Sequence, residues 1–435
     1  MKNSQKCVGS KHFGFRAVAV ISLALTLCGV ATAQNAVCGV APAENAVTHW
    51  NCIAISEARS SKAPGSATPG GTGVYVAYMQ LAVYNAVSAI DGRFEPYKYS
   101  LTAPVGASAD AAAIEAAYRT LVYLLPDRAG FLSAEYSNAL AAIPNGPDKT
   151  DGQILGLASA NALIALRAGD GRGATVPYSF PSSPVPGVWI LTPGATAPQT
   201  PWLGQMRPFT FDDPAQFLPE PPPDLLSKTW ADDYNQVKAL GAVNSTVRTP
   251  EQTDIALFWT DHTTDQYGRL LRGIATNLNL SLADTARLFA MAYAAHADSL
   301  IGCYNAKYQF SFWRPVTAIR NGGIDDNPDT VADPNWTPLT TTPPHPEYPS
   351  AHSCLTGSLA ETLKAYFGSP NFQISIDSTV TGTTHNYKNV HEWQTEVELA
   401  RIYVGFHYHH SVLQGGVLGN KVARHVLSHY FRPLR

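Results

Sequence analysis

Val74-Tyr-Val-Ala-Tyr-Met-Gln-Leu-Ala-Val-Tyr-Asn-Ala-Val-Ser-Ala-Ile90 is an unbroken apolar run with no internal helix breaker, and it reads as a buried helix. Asp110 to Leu125 and Gln153 to Ala168 repeat the theme: both are alanine-rich, with apolar residues three and four apart, as a buried helix face requires. Small alanine side chains let helices approach closely, and Gly169-Asp170-Gly171 stops the third helix. Downstream the composition changes. Of the chain's 32 prolines, 13 fall between Pro177 and Pro223, where a helix cannot form. Trp189, Trp202, Phe209, Phe211 and Phe217 share that stretch, too many aromatics for a flexible linker. It reads as an ordered crossing segment, and long segments of this kind often cover binding sites.

Helical patterning resumes at Pro250. Ser281 with Asp284 starts a helix running through Ala297 to about Tyr304, and Pro349-Ser350 starts another that ends at Gly368. A further helix leads into Arg401, and the last covers roughly Ser411 to Tyr430, where Gly415, Gly416 and Gly419 predict a close helix crossing. The expected architecture is all-α. Two helical bundles, 34–174 and 250–435, are joined by a Pro- and aromatic-rich ordered connector over 175–249.

At 435 residues, 45% hydrophobic and 14% charged, the chain is charge-poor yet far too apolar for a disordered tail. Its 30 Lys+Arg against 33 Asp+Glu leave no basic footprint for nucleic acid. At the N-terminus, Lys2, Lys6, Lys11 and Arg16 precede an apolar run from Ala17 to Val30, followed by Ala31-Thr32-Ala33. This is the three-part pattern of a cleaved secretory signal, and the run is shorter than the roughly 20 residues a membrane span needs. Cleavage after Ala33 would leave 402 residues with 26 basic and 33 acidic, a net charge of −7, in a secreted or periplasmic protein with no membrane span. Cys7 and Cys28 would leave with the signal. Cys38 and Cys52 are close enough in sequence to pair, which would contribute about 3 kcal/mol. Cys303 and Cys354 read equally as a staple beside the site or as two buried thiols.

Three segments carry the chemistry. They are Lys307-Tyr-Gln-Phe-Ser-Phe-Trp-Arg314-Pro315, Tyr348-Pro349-Ser350-Ala351-His352, and Arg401-Ile-Tyr-Val-Gly-Phe-His407. Together they supply three permanent cations, two histidines and a serine at a helix start, which is what a bound tetrahedral oxyanion asks for. Arginine hydrogen-bonds oxyanions in a planar fork, lysine adds a point charge, and a helix start offers unpaired N–H groups. Singly, Lys307 and Arg314 would read as surface cations, Ser350 as an N-cap, and His352 as a satisfied core or surface histidine. Phe310, Phe312 and Trp313 argue instead for a cleft wall. Arg401 and His407 would not share a face of one continuous helix, but Gly405 allows a break between them.

In these residues the chain resembles the vanadium-dependent haloperoxidase and type 2 phosphatidic acid phosphatase superfamily, whose pattern is K-x6-R-P, P-S-G-H and S-R-x5-H-x3-D. The first half resembles the longer, haloperoxidase-like branch only loosely. The resemblance implies that Lys307, Arg314, Ser350, Ala351 and Arg401 form an oxyanion cradle for vanadate or phosphate. It makes His407 the axial vanadium ligand, or the nucleophile of a phosphatase, and His352 the acid–base partner. Lys307 would polarise bound peroxide. The implied cofactor is vanadate, with no haem, flavin or nucleotide; the implied partners are hydrogen peroxide, a halide and a small organic acceptor. The oligomeric state stays open. Histidine at 345, in Pro343-Pro344-His345-Pro346-Glu347-Tyr348, resembles the bromide-oxidising type, and its alternative is an exposed loop residue.

Three departures stand out. Ala351 replaces the usual glycine, Ala400 precedes Arg401, and Ser411 stands where the pattern has aspartate. Without that carboxylate His407 is expected to lack an orienting partner, which weakens the phosphatase alternative. These departures also keep alive a degenerate oxyanion- or partner-binding protein. His409 with His410, and His425 with His429, lack the spacing that would make a separate metal site the simpler reading.

Overall fold

The computed structural model describes residues 45–434. The expected signal, with Cys7, Cys28 and the candidate partner Cys38, lies outside these residues; Cys52 is disulfide-bonded. The first half forms five helices: α1 (Ala46–Ser60), α2 (Pro69–Asp91), α3 (Ala109–Leu124), α4 (Ala129–Ala141) and α5 (Pro147–Leu166). The opening sequence run is the body of α2. Thr68 caps its start by accepting from the Gly71 N–H, and Gly92 ends it at φ +74. This is the one described helix long and apolar enough to cross a membrane, and it is spent instead as the central core helix, almost wholly buried.

Residues 167–227 contain no α-helix, only the 3-10 turn Pro201–Gln205. The connector is ordered because its backbone groups pair with the second half. The Trp189 N–H donates to Ser311 O at 2.7 Å, the Gln199 N–H to Pro344 O at 2.7 Å, and the Glu220 carbonyl accepts from the Tyr348 hydroxyl. Within 175–249 there is one α-helix, α6 (Lys228–Gly241), begun by a Ser227 cap. The sequence reading did not separate it from the proline-rich stretch upstream.

The second half continues with α7 (Pro250–Phe258), α8 (Thr263–Asn277), α9 (Leu282–Phe310), α10 (Pro315–Arg320), α11 (Ala351–Phe367), α12 (Val390–Tyr403) and α13 (His409–His429). A small antiparallel hairpin, Ile374–Asp377 with Thr384–Tyr387, interrupts them, with Ile374 opposite Tyr387. The 29-residue α9 packs against α2 of the first half and against α11 and α13 of the second. One continuous hydrophobic core therefore runs through both halves.

The predicted close crossing joins α11 and α13. A Cβ on Gly415 would stand 2.6 Å from Ser350 O, and one on Gly419 only 2.1 Å from Cys354 O. Glycine at these positions lets the backbone of α13 touch the first turn of α11. Gly419→Ala should therefore cost about 1–3 kcal/mol by overpacking, read as a lowered midpoint in denaturant unfolding. Gly416→Ala, whose Cβ meets only the end of the Glu398 side chain at 3.0 Å, should cost clearly less.

Candidate functional site

Each of the three segments breaks a helix at the point where chemistry is placed. Lys307 occupies the last turn of α9, which ends as Ser311 turns left-handed at φ +47. Three residues later Arg314 caps the short α10. Ser350 caps α11, its hydroxyl accepting from the Ser353 N–H at 3.4 Å, so Ala351 and His352 fall in the first turn, where no carbonyl precedes their N–H groups. Gly405, at φ +83, terminates α12. The turn folds back so that the His407 N–H donates to Arg401 O at 3.2 Å, which sets residues six apart beside one cavity.

That cavity encloses about 130 Å³ and is lined by Ala351, His352, Arg401, His407 and His345, with Tyr304, Leu300, Leu355 and Pro69 as its apolar wall. Gln199 of the connector also lines it, so the proline-rich segment does cover the site. Lys307, Arg314 and Ser350 are fully buried directly behind these residues. The surface reading of Lys307 and Arg314 is thereby overturned, as is the exposed-loop reading of His345, which is 6% exposed.

The cations are held by neutral groups. The Lys307 ammonium donates to Pro346 O and Glu347 O, both at 2.9 Å, and has no third partner among the described residues. Arg314 donates from Nε to His345 O and from Nη1 to Phe406 O, each at 2.9 Å; Nη1 also lies 3.2 Å from His407 Nε2, and Nη2 2.9 Å from His345 Nδ1. Arg401 spends one donor on Trp259 O at 2.9 Å, and its buried Nε has no partner among the described residues. Burial drives all three pKa values down: Lys307 to about 8, Arg314 to about 10 and Arg401 to about 9, where the neighbouring Arg314 adds repulsion. Burial, followed by nearby cations, also holds His345, His352 and His407 well below the ordinary histidine value. His352 Nε2 lies 3.0 Å from the Thr263 hydroxyl, a contact with no signal in the sequence.

One fully buried carboxylate faces this group. Glu347 Oε1 is 2.7 Å from His407 Nδ1 and accepts from the Tyr408 N–H at 3.2 Å. Burial raises the Glu347 pKa to about 7 against the pull of Arg314 and Lys307. The expectation that Ser411 leaves His407 without a carboxylate partner is corrected: the partner comes from a different loop. Glu347 sits four residues before Ala351 in a stretch singled out for His345, and its signal was a lone acid among prolines and aromatics.

Cys303 and Cys354 are buried free thiols beside Lys307, so the staple reading fails. Among the described residues no three His, Cys, Asp or Glu side chains cluster as a metal site. His425 stacks on His429 at 4.2 Å and packs against Phe211 and Phe217, away from the cavity.

The fold is helical apart from one short hairpin, and its candidate site holds an excess of buried positive charge. In fold and in its C-terminal third the chain is similar to vanadium haloperoxidases. Residues 287–435 match the family model described as the VCPO second helical-bundle domain. The chain is 28% identical over 276 residues to vanadium chloroperoxidase of Curvularia inaequalis, covering 52% of this chain but only 44% of that relative. It thus spans less than half the length of that curated relative. Among solved structures it is similar to the first bacterial vanadium-dependent iodoperoxidase, at TM-score 0.74 and 24% identity, over 89% of this chain and 97% of that one. A holo-type bacterial vanadium-dependent chloroperoxidase matches at TM-score 0.67 and 17% identity, over 83% and 93%.

Lys307 gives the site a pH dependence of definite sign. Its pKa in the free protein is about 8, and an anion beside it raises that value, so anion binding takes up a proton above pH 8. Affinity for sulfate, whose own charge is constant, should fall through about pH 8 as Lys307 loses its proton, after a separate fall at about pH 7 as Glu347 ionises. Calorimetric titration checks this, and Lys307→Met should remove the later fall.

Proposed function

We propose that the protein is an exported vanadate-dependent haloperoxidase that oxidises a halide, bromide ahead of chloride, with hydrogen peroxide. The observation that carries this reading is the buried charge imbalance: Arg401 lines a small cavity, Arg314 hydrogen-bonds His345 and His407 in its wall, and Lys307 is buried nearby, with Glu347 as the one carboxylate among them in the described residues. Uncompensated buried charge costs several kcal/mol per ion, so this arrangement calls for a multiply charged anion. The unpartnered Arg401 Nε and the spare Lys307 donor are what such an anion would satisfy.

In this reading Lys307, Arg314, Ser350, Arg401 and the first-turn N–H groups of Ala351 and His352 would hold vanadate, with His407 Nε2 as the nitrogen ligand it would take. Bound vanadate supplies Lewis-acid activation of peroxide without changing its oxidation state. Lys307 would lend its positive charge to bound peroxide, and His352, held neutral by burial and steadied by Thr263, would take and return the proton. Leu300, Leu355, Pro69 and Tyr304 wall off bulk water. A cavity of about 130 Å³ suits peroxide and a halide, leaving a small organic acceptor to react with released hypohalous acid outside. The bromide assignment rests on the resemblance at His345, and the side chain is placed to act on it, buried in the cavity wall and hydrogen-bonded to Arg314. Export rests on the N-terminal pattern at 1–33.

A second reading, a soluble phosphomonoesterase with His407 as nucleophile, gains from the Glu347–His407 contact, since a carboxylate makes a histidine more basic. The two separate cleanly in the assay. Purified protein loaded with vanadate should halogenate a diketone probe in the presence of bromide and peroxide, and His352→Ala should lower kcat about 10²–10⁴-fold. Hydrolysis of nitrophenyl phosphate, inhibited by vanadate and without any halogenation, would overturn the haloperoxidase reading. His345→Phe should shift the bromide-to-chloride rate ratio toward chloride.

A further inference from the structure

Four residues after His407, Ser411 stands at the start of α13, where the superfamily pattern places the carboxylate that steadies the histidine. Ser411 is fully buried, its hydroxyl lies beside the Glu347 carboxylate, and its carbonyl accepts from the Ser350 N–H at 3.2 Å. Neither Ser411 Oγ nor Glu347 Oε2 completes a hydrogen bond of good geometry among the described residues. The serine is therefore a small polar neighbour of the glutamate and no carboxylate that could itself steady His407. We infer that Glu347 is the positioning residue for the oxyanion-binding histidine, a carboxylate moved from the helix start at 411 to the loop before Ser350.

The geometry shows how it acts. Arg314 can only donate, so its contact with Nε2 calls for the His407 proton on Nδ1, and the ionised form of Glu347 accepts it at Oε1, 2.7 Å away. Nε2 then holds the lone pair, and Arg314 Nη1 at 3.2 Å donates toward it. Two fixed groups on opposite edges of the ring settle both tautomer and orientation before any ligand arrives. Ligating histidines generally hold their second nitrogen this way, and losing the partner typically costs 10–100-fold in affinity. Glu347 is itself fixed by the Tyr408 N–H and by its own backbone: its N–H donates to Phe312 O at 2.9 Å and its carbonyl accepts from Lys307. One residue thereby links all three sequence segments. Because Ser411 and Glu347 occupy adjoining space, two carboxylates there would repel each other in a buried site, so the loop position excludes the helix position.

This inference rests on the proposal that His407 binds an oxyanion through Nε2, and the test keeps the two apart. Vanadate affinity is measured by equilibrium dialysis on the intact chain. Wild-type protein that binds no vanadate removes the underlying proposal. If wild type binds, Glu347→Gln should weaken binding about 10–100-fold. The pair Glu347→Ala with Ser411→Asp, which opens space and restores a carboxylate from the other side, should recover most of the loss, and Ser411→Asp alone should destabilise the fold. Unchanged affinity in Glu347→Gln, or no recovery in a folded double variant, overturns the inference. Nitrogen-15 NMR of wild-type His407 adds a readout that needs neither vanadate nor a variant: an Nδ1–H tautomer is expected, and an Nε2–H tautomer overturns the assignment.

Discussion

Placing Lys307, Arg314 and Arg401 in the interior with one carboxylate among them in the described residues is the constraint on which the rest of the structure depends. Each cation needs donors satisfied without neutralising the site, and carbonyl oxygens do this. Pro346, Glu347, His345, Phe406 and Trp259 all turn backbone carbonyls toward the cations. Carbonyls come free only where chains leave regular structure, so the site sits at helix ends and in a proline-rich loop, where backbone N–H partners are missing. Burial lowers the pKa of all three cations, because desolvation of the charged form outweighs the compensation the neighbouring groups provide.

Close packing brings those loose ends to one point. The glycine stripe of α13 lies against the first turn of α11, and Ser411 O accepts from the Ser350 N–H, so the helix carrying the serine motif and the turn carrying His407 are locked together. Gly405 is needed for a related reason. A left-handed residue there ends α12 and returns the chain beneath Arg401, and a Cβ would strike Gly241 O at 2.7 Å. The connector completes the enclosure from the other half, tying Gln199 to Pro344 and Trp189 to Ser311. The segment read from its aromatics as an ordered crossing contributes Gln199 to the cavity wall.

Two carboxylate positions, one occupied and one replaced by serine, illustrate how a polar network is maintained. What His407 requires is an acceptor at Nδ1, and chemistry places no demand on which segment supplies it. Glu347 meets the requirement from three residues before Ser350, where the same loop also serves Lys307 and Arg314. The loop is consequently dense in function: His345, Pro346, Glu347 and Ser350 each hold a different part of the site.

Much of this was legible in residue order. The apolar run at 74–90, the alanine spacing, the proline block, the Ser281 and Ser350 caps and the α13 glycines are local signals, because helix formation, capping and close crossing depend on neighbours a few residues apart. The three motif segments were legible for the same reason: an oxyanion cradle needs particular side chains at fixed short spacings. Helix α6 was obscured by the prolines before it, and the hairpin at 374–387 by its short strands. Only tertiary structure could decide that Lys307 and Arg314 are interior, that Thr263 meets His352, that Cys303 and Cys354 stay thiols, and that Glu347 takes up the role left empty at 411. These are contacts between residues up to 89 positions apart, as for Thr263 and His352, and burial and pairing at that range follow from packing rather than from any local pattern.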